Sequence, residues 1–220
     1  MTSPTLVIAS HNPGKRGEFE QLLGRIGVAL LDLTAFPLAP TVAEEGNTYL
    51  ANARLKALTI ARFTQLPALA DDSGLEVDAL SGAPGVRSAR FSAEKERRAS
   101  NVSSEVLERG KIDDENTMLL LERLQGVPDP QRTARFRCVI VVAHPDGREL
   151  IGDGTCEGVI TRAPLGGGGF GYDPVFYYPP AESTFAEMRR VDKDSVSHRA
   201  QACGSIRSRL LPFLTSTVRG

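Results

Sequence analysis

Apolar and polar positions along this chain switch between a period of about two and one of about 3.6, and each switch marks an element boundary. "TLVIA" at residues 5–9 is a short β-branched and apolar run, which predicts a buried strand. "SHNPGKRGEFEQLLGRIG" then turns to helical spacing, with Phe19, Leu22, Leu23 and Ile26 on one face. Asn12 is a good N-cap there, Pro13 suits the first helical position, and Gly24 and Gly27 offer a stop. A second helix is predicted over residues 47–64, carrying Leu50, Ala53, Ala57, Ile60 and Ala61 on one side. "LPALA" predicts a second buried strand that ends at Asp71 and Asp72.

Beyond the aspartates the pattern loosens. "LSGAPGVRSARF" is a loop rich in Gly, Pro and Ser, and residues 92–114 are polar with few large apolar anchors, which predicts a surface insertion. Met118, Leu121 and Leu124 predict a helix over residues 114–125. "TARFRCVIVVAH" and "RELIGDGTCEGVI" read as strands joined by the hairpin-like turn "HPDG", and "VFYYP" as another short strand. "STFAEM" predicts a short helix capped by Ser183 or Thr184, and Cys203, Ile206, Leu210 and Phe213 place a last helix near the end. Strands interleaved with helices, one hairpin among them, predict an α/β fold: a mixed sheet covered by helices, without internal repeats or a clear boundary across residues 1–220.

Composition narrows the functional classes. No segment approaches the roughly 18 unbroken apolar residues of a membrane helix, and the first apolar run is too short and lacks the charged flank of a signal sequence. A membrane partner is therefore not expected, and a cytoplasmic protein is. The formal net charge of -1 argues against a general nucleic-acid surface while leaving room for a local basic pocket. Cys138, Cys156 and Cys203 form no CxxC pair and are odd in number, which predicts buried free thiols rather than disulfides or a zinc site.

Four segments carry candidate chemistry. In "SHNPGK", residues 10–15, free N–H groups at a helix start would favour an anion, with Lys15 in the first turn. It is not a Walker sequence. In "LADDSG", a strand persisting through both acids would send Asp71 and Asp72 to opposite faces, so only one would meet a ligand. That carboxylate, with Glu44 and Glu45 before another helix, is suited to a hard cation such as magnesium or to handling a water. In "GGGGFGYD", residues 166–173, the glycines permit close ligand approach. Phe170 and Tyr172 offer stacking faces for a base, and Asp173 an acceptor for its edge. The HRD and DFG elements of a kinase are missing. In "DKDSVSHRAQA", Ser197 caps the final helix, which puts His198 and Arg199 at the positive end of its dipole, with Lys193 close in sequence. His11 and His144 carry little signal alone. Each segment also has a plain structural reading: a well-made cap, a solvated acidic pair, a flexible loop, a surface pair. Taken together the four describe a nucleotide polyphosphate and a metal.

The same residues resemble a known family. "SHNPGKRGEF", "EEGNTYLANARLKA", "LADDSGLEVDALSGAPGVRSARF", "GVITRAPLGGGGFGYDPVF", "TFAEM" and "DKDSVSHRAQA" occur in that order, as in the inosine triphosphate pyrophosphatase family, from about residue 5 to about residue 214. The resemblance implies hydrolysis of dITP, ITP and XTP to the monophosphate and pyrophosphate with Mg2+. It implies a long central mixed sheet flanked by helices in two lobes with a cleft between them, and a homodimer. By motif, Ser10, His11, Asn12, Pro13, Gly14 and Lys15 would hold the triphosphate. Asp72 would be the catalytic carboxylate and a magnesium ligand, with Glu44 or Glu45 as the second acid, and Ser73 would touch substrate. Phe170, Gly171, Tyr172 and Asp173 would take base and sugar, and Lys193, His198 and Arg199 would complete the pocket. Two alternatives share these residues: a non-catalytic nucleotide sensor, and a pyrophosphatase of modified pyrimidine nucleotides.

Overall fold

The computed structural model describes residues 3–24, 26–92 and 109–216. Its strands join in one seven-stranded sheet, among the described residues, in the order β2-β1-β3-β4-β5-β6-β7. The chain forms two compact units, one drawn from Met1–Asp72, Cys138–Thr155 and Val196–Gly220, the other from Ser73–Arg137 and Cys156–Ser195.

The first unit starts with β1 (Thr5–Ile8), α1 (Pro13–Leu23), β2 (Ala29–Asp32) and α2 (Tyr49–Thr64). It also takes the start of β3 (Ala68–Val77), the end of β4 (Thr133–Ala143), the start of β5 (Glu149–Ile160), and the last helix, α5 (His198–Thr215). β1 pairs in parallel with β2 on one side, Val7 opposite Leu31, and with β3 on the other, Val7 opposite Ala68. Alternate residues of these strands feed two cores. Leu6, Ile8, Leu69 and Ile140 pack with Phe19 and Leu23 of α1 and with Ile206 and Leu210 of α5. Val7, Ala68, Ala70 and Val141 pack with Ala53, Ala57, Ile60 and Ala61 of α2. The small residues on α2 let its backbone come close to the sheet. α5 approaches β5 just as closely: a Cβ on Gly154 would lie 2.2 Å from the His198 carbonyl oxygen.

From β1 the chain crosses through α1 to β2 on one flank and then through α2 to β3 on the other. This makes the carboxyl end of β1, beside β3, a topological switch point, where open α/β sheets bind ligands.

The second unit holds the rest of β3, β4 and β5, with α3 (Arg109–Arg123), β6 (Phe176–Tyr178), β7 (Ser183–Thr184) and α4 (Arg190–Val196). Its core is aromatic. The Phe136 and Phe176 rings lie 4.5 Å apart, and Phe185 lies 4.9 Å from Phe176. Arg132 is buried here with its guanidinium donating to the carbonyls of Leu124, Ile160 and Thr161, so its charge is met by backbone dipoles.

Five expectations need correcting. β3 does not end at the aspartates but runs on to Val77, because Ser73 and Gly74 take extended backbone and Leu75 and Val77 bury beyond them. β2 went unseen, being a four-residue edge strand with too few positions to show a period. "STFAEM" is strand β7 followed by a turn, not a helix. The Ala186 N–H and C=O that a helix would use are taken by Asp173 O and Gly168 N. α3 starts at Arg109, earlier than expected, and α4 was not anticipated. Of the expected polar insertion at 92–114, residues 93–108 lie outside the described residues; Ser92 is buried, its N–H donating to Asn116 Oδ1 at 2.7 Å. The three cysteines are free and buried, as composition suggested. Among the described residues no helix is long and apolar enough to cross a membrane.

Candidate active site

The switch point in the first unit opens on the start of α1. Asn12 caps the helix: its Oδ1 accepts from Gly14 N at 2.9 Å and Lys15 N at 3.4 Å, while Ser10 Oγ accepts from Asn12 N at 3.2 Å. Asn12 is only 6% exposed, yet its Nδ2 has no hydrogen-bond partner. An orphaned buried donor is costly, and here it borders a small cavity of about 130 Å³ lined by Ser10, His11, Pro13 and Arg16. A donor without an acceptor, beside a helix start, is chemistry for an anion. His11 and Pro13 are exposed at this mouth.

Behind it lies a buried chain of charges. Lys15 Nζ sits 2.9 Å from Asp71 Oδ2, and Arg199 donates to that same oxygen from Nε at 3.3 Å and Nη2 at 3.4 Å. The far side of the Arg199 guanidinium pairs with Glu18. Burial would raise the Asp71 carboxyl, but the charges of Lys15, Arg199 and Lys56 outweigh it and hold the group far below the usual carboxylate range. Arg199 is 1% exposed. The sequence placed its charge at an unfavourable helix start, and Glu18 and Asp71 are the carboxylates that offset it. Arg199 is therefore an interior ion-pair partner in this structure. His198 beside it is buried as well.

One residue along β3, Asp72 faces the α2 side of the sheet. Its Oδ2 accepts from Asn52 Nδ2 at 2.8 Å. Burial pushes its carboxyl up; Lys56 and the Asn52 hydrogen bond pull it down, Glu44 pushes it up again, and the balance is upward. Lys56, one turn after Asn52 on α2, pairs with Glu44. Glu44 is also pushed up by burial, but the Lys56 charge and hydrogen bond win and set it below its usual range. Glu45 is exposed.

The donor set fits a hard cation. Asp71, Asp72, Glu44 and Glu18 set their carboxylates among the cations Lys15, Lys56 and Arg199. Glu44 and Asp72 repel each other electrostatically, which a cation between oxygen ligands would relieve. Among the described residues no three His, Cys, Asp or Glu side chains form a closed metal cage.

The second unit holds the glycine loop. Asp173 is buried, and its Oδ2 accepts from Lys193 Nζ at 2.6 Å and from Phe170 N at 2.9 Å. Gly169 has φ +74°, and a Cβ there would come within 2.1 Å of Asp173 Oδ2, so this turn demands glycine. Lys193 Nζ stands 4.8 Å from the centroid of the Phe170 ring, a cation–π contact. The loop is pinned from behind by Thr184 Oγ1, donating to Leu165 O at 2.9 Å, and by Gly171 N, donating to Asp113 Oδ2 at 2.9 Å. One expectation changes. Tyr172 is 4% exposed with its hydroxyl donating to Ser88 O at 2.9 Å, so its ring is wall rather than stacking surface. Asp173 gives its Oδ2 to Phe170 N and Lys193 Nζ, an anchoring role beside the one expected. Phe170 is half-buried and keeps part of its surface open.

In the first unit the structure thus groups Ser10, Asn12, Gly14, Lys15, Asp71, Asp72, Glu44 and Arg199, and in the second Phe170, Gly171, Asp173 and Lys193; Ser73 follows Asp72 in β3. Sequence reading missed Glu18, Asn52 and Lys56. Their signal was present in part: a polar Asn52 and Lys56 at i and i+4 interrupt the apolar face of α2, next to Ala53 and Ala57.

The chain is similar to known proteins over most of its length. The chain is 50% identical over 197 residues to a dITP/XTP pyrophosphatase of Desulforamulus reducens, covering 90% of each chain. It is 46% identical to the protein of the same name in Geobacillus kaustophilus, over 90% of this chain and 89% of that one. Among solved structures, a HAM1 protein from Coxiella burnetii superposes with TM-score 0.78 at 37% identity, covering 95% of this chain and 99% of its own. With residues 6–209 matching its family model, the chain belongs to the Ham1 family.

Proposed function

We propose that this protein is a nucleoside triphosphate pyrophosphatase that hydrolyses non-standard purine nucleotides, dITP, ITP and XTP, to the monophosphate and pyrophosphate. The observation that carries the reading is in the first unit: an anion-seeking helix start with Lys15 stands beside two mutually repelling carboxylates, Asp72 and Glu44. Carboxylates next to a polyphosphate repel it unless a cation intervenes, which favours a metal-assisted enzyme over a sensor. The names of the relatives point the same way.

In this reading the α1 start and the Asn12 amide receive phosphate oxygens. Lys15, oriented by Asp71, has two N–H donors left for the charge that builds on the leaving pyrophosphate. Asp72 and Glu44 would hold Mg2+, which when bound neutralises phosphate charge. Asp72 would chiefly align the attacking water, because a bound cation lowers the proton affinity of the carboxylate that holds it. In the second unit Phe170 offers a face to the purine, and the buried Lys193–Asp173 pair holds that loop in shape. A purine 6-keto oxygen is matched by a donor where a 6-amino group would leave two donors opposed, a mismatch of about 1–3 kcal/mol when buried.

A homodimer and a cytoplasmic setting complete the proposal, the latter supported by three buried thiols without a disulfide. The test is pyrophosphate release from dITP, XTP, dUTP, dTTP and ATP with Mg2+. Fast release from dITP and XTP alone supports the reading, preference for a pyrimidine triphosphate replaces it with the pyrimidine alternative, and binding without turnover replaces it with the sensor.

A further inference from the structure

Asn52 holds two parts of the candidate site at once. It is 1% exposed on α2. Its Oδ1 accepts from Gly46 N at 2.8 Å, and its Nδ2 donates to Asp72 Oδ2 at 2.8 Å and reaches Gly46 O at 3.4 Å. The Gly46 N–H fixes which end of the amide points which way, so the NH2 must face the carboxylate. Serine, aspartate or alanine cannot give an acceptor to Gly46 and a donor to Asp72 together; an amide of this length does both. Gly46 bears the mark of the same contact. Its φ is outside the left-handed region, so its backbone would accept other residues, but a Cβ would lie 2.5 Å from Asn52 Oδ1. Lys56, on the next turn of α2, grips Glu44, two residues before Gly46. One face of one helix thus clamps the Glu44–Gly46 segment and Asp72 in a single arrangement.

We infer that Asn52 is a positioning residue that sets the Asp72 carboxylate and the Glu44 segment in register for a divalent cation. This rests on the reading of Asp72 as a metal ligand. A clamp needed only for folding would leave cation affinity alone once the protein is folded. A clamp that pre-arranges ligands changes that affinity and kcat, with little effect on how nucleotide binds.

The experiment uses the full chain without nucleotide and Mn2+ as the probe, with bound ion counted by electron paramagnetic resonance, for Asn52→Ala, Gly46→Ala and Asp72→Asn. Melting curves establish folding, and kcat and KM are measured with dITP. Asn52→Ala should weaken Mn2+ binding at least fivefold and lower kcat at least tenfold, with KM within threefold. Gly46→Ala leaves the amide chemically intact but pushes it aside, and should move the same quantities the same way. The double variant should be no worse than the worse single one, because both break one clamp. Mn2+ affinity within twofold of the unaltered protein in both single variants, while Asp72→Asn loses it, overturns the role of Asn52 alone. Retained affinity in Asp72→Asn overturns the metal assignment and this inference with it. Should Asn52→Ala not fold, Gly46→Ala decides the matter.

Discussion

Asp71 and Asp72 are neighbours in β3 with opposite surroundings, and they should fail differently. Asp72→Asn keeps the shape and the hydrogen bond's geometry but removes the charge and the proton acceptor. Turnover should fall by about 10²–10⁴-fold while the melting temperature stays near that of the unaltered protein. Asp71→Asn strips the partner from Lys15 and half the partnership of Arg199, both inside the first unit. Breaking a buried pair from one side costs about 3–5 kcal/mol, read by urea unfolding at neutral pH. The pH dependence has a definite sign. Asp71 is held below its ordinary 3.8, so its stabilisation is fully present above that value and is lost as pH falls toward the folded-state pKa. Between pH 5 and pH 2 the unaltered protein should therefore lose stability more steeply than Asp71→Asn, by up to about 1.4 kcal/mol per pH unit, one proton's share. Equal slopes in urea titrations across that range would contradict the assignment of the depressed carboxyl.

The helices and strands were legible where a period could establish itself. α1, α2, β4, β5 and α5 all lie where their apolar spacing put them, because each is long enough to repeat its pattern and buries one face. β2 and β7 have four and two residues, and their strand character comes from pairing with neighbours, which no local pattern reveals. "TFAEM" has helix-forming residues, but long-range backbone bonds to Asp173 and Gly168 take its groups first. The site was half legible for a related reason. Asn12, Lys15, Asp72 and the glycine loop announce themselves by local chemistry, whereas Glu18 and Asn52 matter only through partners 181 and 20 residues away. The carboxylates that pair with Arg199, Asp71 and Glu18, lie 128 and 181 residues away and are invisible along the chain. Packing between elements supplies another test. Gly154→Val would drive a side chain into the α5 backbone at His198 and Ala202, with contacts starting at 2.2 Å. It should destabilise the protein by about 1–3 kcal/mol or more, measured by denaturant unfolding, since overpacking against backbone cannot be relieved by a rotamer change.

For the molecule as a whole, a near-neutral net charge of -1 leaves recognition to local charge rather than to a global field. Activity should therefore depend weakly on ionic strength compared with a nucleic-acid-binding enzyme, whose affinity falls steeply with salt. Selection among purines rests on short-range matching, so dITP should exceed dATP in kcat/KM by at least about tenfold for one mismatched buried contact, as steady-state assays would show. The central claim is that water attacks the α-phosphorus of a purine triphosphate in this protein. Turnover of dITP with Mg2+ in ¹⁸O-labelled water tests it directly, with the products resolved by mass spectrometry. The account predicts one ¹⁸O in dIMP and none in pyrophosphate; labelled pyrophosphate, release of orthophosphate with dIDP, or no turnover at all would contradict it.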